Sequence, residues 1–174
     1  MTNSWMEPPS RGALESALPV LLRQLKLAQF RGQWQAAEQD AKSAGWDPAT
    51  YLYVLAEQEH QQRHQSRQRR LLREAQLPWP KTLADYDWGV VPDLERHQIE
   101  RFACGVDWID RGENLLLFGP SGVGKTHLAA GICRGLISLD RSARFFPGTA
   151  LVQLLLQAKA EYSLAKTLNR LDRC

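Results

Sequence analysis

Cysteine is scarce: Cys104, Cys133 and Cys174 are the only three, odd in number and far apart. No Cys-x-x-Cys pair and no Cys/His cluster at zinc spacing occurs. A disulfide-built scaffold and a zinc finger are thereby excluded, and reduced thiols in a cytoplasmic protein are expected. No apolar run approaches the roughly 18–20 residues that a membrane-spanning helix needs, so no membrane partner is expected. The N-terminal segment lacks the basic start and apolar core of a secretory signal. No internal repeat or low-complexity tract stands out, and no Ser/His/Asp or Cys/His nucleophile set can be assembled. The net charge is only +3, too small by itself to argue for a nucleic-acid partner. What is present is a chain of 174 residues, 44% hydrophobic and 24% charged, enough to fold as one medium or two small domains.

Residues 1–13 are polar and hold Pro8, Pro9 and Gly12, which reads as a flexible tail. A helical pattern opens at Ser16, with Pro19 expected in the first turn and Leu18, Leu21, Leu22, Leu25 and Leu27 at near-helical spacing. Gly32 is expected to interrupt it, and Gly45 to end the weaker stripe of Trp34, Ala37 and Ala41. Asp47 followed by Pro48 marks a cap and first position for a second, longer helix. That helix should end at Pro78-Trp79-Pro80, because two prolines in three residues cannot continue it. Residues 14–78 therefore form an expected basic helical domain, and 79–91 a linker with aromatic anchors at Tyr86 and Trp88. From residue 92 the pattern becomes α/β. Short helices are expected over Leu94–Cys104 and Val106–Asp110. Asn114–Phe118 and Ala143–Phe146 read as buried strands of a parallel sheet. Helices are expected over Thr126–Leu139, Thr149–Ala160 and Leu164–Cys174. Residues 92–174 thus predict the front half of a P-loop nucleotide-binding fold.

The chemistry is concentrated in Gly119-Pro120-Ser121-Gly122-Val123-Gly124-Lys125-Thr126. Glycines allow such a loop to curl until several backbone N–H groups face one phosphate. The helix that follows adds the positive end of its dipole. Lys125 would reach the β- and γ-phosphates, and the Thr126 hydroxyl would hold Mg²⁺. ATP and Mg²⁺ are the expected ligands. A P-loop ATPase also uses an acid at the end of a second apolar strand. The acids after Thr126 are Asp140, Glu161 and Asp172, none behind an apolar run. No arginine finger is assignable either, so binding is expected and no catalytic residue is assigned.

A second pattern lies in the long helix. Arg63, Arg67, Arg69, Arg70 and Arg73 occur over residues 60–73 with no acid among them. At helical spacing Arg63, Arg67 and Arg70 share a face, with Arg69 and Arg73 beside it. Such a stripe suits the phosphate backbone of DNA. His60 and His64 stand at i and i+4, but no further ligand follows at metal spacing, and no metal site is expected there. His127 reads as a packing residue. Trp34, Trp46, Trp79, Trp88 and Trp108 read as packing or linker anchors, and Cys133 as core.

Several stretches resemble one family. Pro80-Lys81-Thr82-Leu83-Ala84-Asp85-Tyr86-Asp87-Trp88, Arg111–Phe118 and Gly119–Ala129 are similar to motifs of the IstB-like helper ATPases of bacterial insertion sequences, AAA+ proteins akin to the helicase loader DnaC. The likeness runs from about Leu18 to Arg173. It implies an ATP-binding helper of DNA transposition, a transposase partner, and self-association through the AAA+ domain. A replicative helicase loader and a non-catalytic DNA- or transposase-binding fragment are the alternatives. Members of the family continue past Leu171 into a strand with paired acids (the Walker B strand) and then to an arginine finger. The resemblance therefore implies a shortened member.

Overall fold

The computed structural model describes residues 7–78 and 80–172. They form eight α-helices: α1 (Arg11–Gln24), α2 (Ala28–Ala44), α3 (Pro48–Ala75), α4 (Arg96–Cys104), α5 (Asp107–Asp110), α6 (Lys125–Ser138), α7 (Gly148–Ala160) and α8 (Leu164–Leu171), with a single 3₁₀ turn at Trp88–Val90. The chain divides into two compact units, 1–66 and 67–174, and the division falls inside α3.

In the first unit Leu22, Trp34, Ala37 and Leu55 form a core, flanked by Leu14, Leu18, Leu27, Phe30 and Tyr51. Fully burying one side chain such as Leu55 contributes about 2–3 kcal/mol. The Asp47 carboxylate caps α3 by accepting the N–H groups of Ala49 (2.8 Å) and Thr50 (3.0 Å). Its bonds to the Thr50 hydroxyl and backbone hold the carboxyl below its usual range. The break between α1 and α2 is not at Gly32, which lies inside α2 with open space around it. It falls at residues 25–27, where Lys26 takes a left-handed φ of 58°. Pro19 also departs from the expected first turn. Because α1 begins at Arg11, Pro19 is interior to it, and its ring removes one i to i−4 bond there.

In the second unit α4 packs on α6 around Tyr86, Ile99, Ala103, Leu128, Ile132 and Leu136. The end of α3 adds a smaller cluster of Leu71, Ala75 and Ile137. The α/β reading is overturned here: no strand and no parallel sheet occur among the described residues. A strand exists through its hydrogen-bonded ladder, not through its own composition. Residues 114–118 carry no regular secondary structure, with Leu115 and Leu117 packed on the core. Their neighbours Leu116 and Phe118 are 71% and 86% exposed, so the run is covered on one face only. In residues 143–146 the Phe145 N–H is donated to the Ala75 carbonyl at the end of α3 (2.8 Å), not to a strand. The described part of the second unit is helices plus irregular connections.

Candidate functional site

The loop 119–126 is built by its own backbone. Gly122 and Gly124 have φ of 88° and 85°, conformations that L side chains rarely adopt. At Gly124 a side chain is also excluded by space, since an added Cβ would stand 2.6 Å from the Tyr86 ring. Gly124 closes the loop and caps α6, whose first intrahelical bond runs from Leu128 N–H to the Gly124 carbonyl (2.9 Å). The N–H groups of Lys125, Thr126 and His127 precede that bond, as helix geometry requires, and form the electropositive end of α6.

Lys125 leaves the first turn of α6 and folds back over the loop. Its ammonium donates to the carbonyls of Gly119 (2.8 Å) and Pro120 (2.5 Å). The charge is thereby tied to the start of the loop. Gly119, Pro120, Ser121, Gly122 and Thr126 are exposed, while Val123 and Lys125 are half-buried. This loop lies on the surface. A cleft of about 860 Å³ is lined by α7 and α8, including Leu154, Lys166 and Arg170, and by no residue of the loop. Its size carries less weight than the backbone donors and the lysine at 119–126.

Residues before the loop brace it, and sequence reasoning treated them only as a linker. The Tyr86 hydroxyl donates to the Val123 carbonyl (2.7 Å). Its ring stands edge-on to Trp88 and to His127, with centroids at 4.9 and 5.3 Å. His127 Nε2 is 2.7 Å from the Thr82 carbonyl, which can only accept. His127 is therefore a packing residue here. Asp85 accepts the Thr82 hydroxyl (2.6 Å), which keeps its carboxyl below the usual range and locks the turn. The one signal available in the sequence was the run of linker residues resembling a family motif.

The five arginines of α3 are all exposed, but they are not equivalent. The segment 60–73 has no acid of its own, yet acids from outside it reach three of them. Arg63 pairs with Glu59 (2.8 Å), Arg67 with Asp140 (3.4 Å) and Arg70 with Glu74 (3.8 Å). Arg69 and Arg73 have no acidic partner among the described residues. Glu59 is itself buried and accepts the Gln29 N–H (2.7 Å) at the start of α2. Burial would raise its pKa, but the Arg63 and Gln29 bonds outweigh that and lower it.

Trp34 is core, and Trp108 packs edge-on to Phe102 and donates its indole N–H to the Phe102 carbonyl (3.2 Å). Cys133 is partly buried, which pushes its thiol pKa up, while Cys104 is exposed. Trp79 and Cys174 lie outside the described residues. No described helix is long and apolar enough to cross a membrane.

A family profile described as IstB-like ATP-binding protein matches residues 20–174. An insertion-sequence ATP-binding protein of Sinorhizobium fredii is 37% identical over 159 residues, covering 91% of this chain and 53% of that protein. The protein named for insertion sequence IS21 and ATP binding in Pseudomonas aeruginosa is 35% identical, covering 89% of this chain and 58% of its own length. The corresponding IS5376 protein of Geobacillus stearothermophilus is 30% identical over 144 residues. The chain spans about half the length of the relatives it matches.

Proposed function

Because the chain belongs to the IstB-like ATP-binding protein family, we propose that it binds ATP with Mg²⁺ at residues 119–126 and serves as a helper in DNA transposition. The observation that carries the reading is Lys125, held over the Gly119 and Pro120 carbonyls at the positive end of α6. An anion entering the loop meets a lysine ammonium and a set of backbone N–H groups already in place. The Thr126 hydroxyl, exposed in the first turn of α6, would hold Mg²⁺. One protein hydroxyl suits an ion that keeps most of its shell as water and phosphate oxygen. The ion would neutralise phosphate charge. The relatives' names point to insertion elements in preference to a replicative helicase loader. A transposase partner and self-association through residues 92–174 belong to the same reading.

The direct test is a titration of the chain with a fluorescent ATP analogue, competed with ATP and AMP. ATP is expected to compete at least roughly tenfold better than AMP in the presence of Mg²⁺, because charge-assisted bonds to the outer phosphates dominate. Equal competition would refute a phosphate-reading loop.

DNA is the second partner in this reading, engaged through α3. The acid-paired arginines of the stripe are partly satisfied already, so Arg69 and Arg73 are the sites where phosphate contact costs least. The double variant Arg69→Gln/Arg73→Gln should flatten the plot of log affinity against log salt by about 1–2 slope units. Its melting midpoint should stay put, since both side chains are exposed. An unchanged slope would remove these two arginines from the DNA contact.

A further inference from the structure

We infer that Tyr86 is a positioning residue for the phosphate loop, setting the orientation of the Val123–Gly124 peptide and so the affinity for nucleotides that carry a β-phosphate. The inference rests on the nucleotide reading above and deepens it. Tyr86 lies far from the loop in sequence, is only 6% exposed, and donates its hydroxyl to the Val123 carbonyl at 2.7 Å. No peptide bond among the described residues is cis. In a trans peptide the C=O and the following N–H point in opposite directions. A hydroxyl that holds the Val123 carbonyl therefore also fixes where the Gly124 N–H points. It keeps a carbonyl oxygen, which would repel phosphate, turned toward Tyr86. The ring completes the constraint. It fills the space a Cβ at Gly124 would need, so the loop cannot slide toward it.

The brace is itself anchored. The Thr82–Asp85 turn is closed by the Thr82 hydroxyl bond to Asp85 (2.6 Å), and its Thr82 carbonyl is held by His127 (2.7 Å). Leu83 lies against Gly131 of α6, where an added Cβ would be 2.6 Å from the Leu83 Cδ2. Each of these contacts ties the segment ahead of the loop to α6, the helix the loop leads into.

The test compares ATP, ADP and AMP binding to the full chain and its variants by competition against a fluorescent ATP analogue. Tyr86→Phe keeps the ring and removes the bond. It should weaken ATP and ADP roughly three- to tenfold, the range set by one hydrogen bond, and leave AMP unchanged. Ile99→Ala, in the same core but outside the brace, is the packing comparison. It should lower the melting midpoint while preserving the ATP-to-AMP ratio. Unchanged ATP affinity in Tyr86→Phe, equal losses for ATP and AMP, or a ratio shifted as much by Ile99→Ala would each overturn the role of Tyr86. A wild-type chain with no preference for ATP over AMP would overturn the nucleotide reading itself, and the Tyr86 role with it. The two failures are thus distinguishable.

Discussion

Replacing Lys125 with alanine is expected to weaken ATP binding by about 100- to 1000-fold. A hydrogen bond from a charged donor contributes about 1.5–3 kcal/mol, and a P-loop lysine makes such bonds to two phosphates. Two such bonds sum to about 3–6 kcal/mol, and the lower part of that range, about 3–4 kcal/mol, corresponds to the stated loss of affinity. The lysine has a second task in this fold. Its ammonium bridges the Gly119 and Pro120 carbonyls, so its loss also frees the start of the loop. Lys125→Arg should not rescue binding, because a planar guanidinium cannot place a compact charge at the same point. Calorimetry on the wild type and both variants decides the matter. Affinities within about twofold of each other would move the nucleotide away from this loop.

A single methyl group at residue 135 should destabilise the second unit more than any surface change described above. Gly135 lies inside α6, where glycine normally costs about 0.8–1 kcal/mol relative to alanine. Propensity alone therefore predicts that Gly135→Ala is stabilising. Packing predicts the opposite. A Cβ at 135 would stand 2.5 Å from the Ala103 carbonyl oxygen and 2.7 Å from the Ala103 Cβ. Ala103 is in α4, and its carbonyl cannot move without the helix that carries it. Overpacking costs about 1–3 kcal/mol; contacts this short against another helix's backbone place the cost at the upper end, so packing wins by about 2 kcal/mol. That is a fall in melting midpoint of roughly 5–10 °C for a domain of this size. Gly32→Ala supplies the contrast. It is also mid-helix, but nothing lies within 4 Å of its added Cβ. It should raise stability by about 0.5–1 kcal/mol. Thermal denaturation of both variants reads opposite signs. A rise in both would mean that α4 and α6 are not in close contact.

The helices were legible because each carries a local cause. Asp47 and Pro48 mark the start of α3 without reference to any other segment, and the structure places the cap there. The expected helices near α4, α5, α6, α7 and α8 match to within a few residues for the same reason of periodicity. The expected sheet is not found among the described residues, because pairing is a property of two segments and residues 114–118 show only their own composition. The α1–α2 break was misplaced because an exposed glycine such as Gly32 is tolerated within a helix. The left-handed residue that makes the break is a lysine, which carries no signal for it. In the site, the glycine spacing and Lys125 announce the loop. The hydroxyl of Tyr86 does not announce its bond to Val123, since nothing local connects residues so far apart. The arginine stripe was legible as a pattern of charge. Its division into paired and unpaired members was not, because Asp140 arrives from a distant turn.

The bond from Phe145 to the last turn of α3 also bears on the order in which the protein is made. The core of the first unit draws on residues no later than Leu55. It can close while the rest of the chain is still being synthesised. The end of α3 has no such independence. Its buried residues Leu71 and Ala75 pack on Ile137, and its Ala75 carbonyl waits for Phe145. One continuous helix thus has a first half whose partners precede it and a second half whose partners follow it. On the ribosome, the second half emerges as an apolar stripe with nothing yet to cover it. Closing that long-range contact is the slow step expected of the chain's assembly.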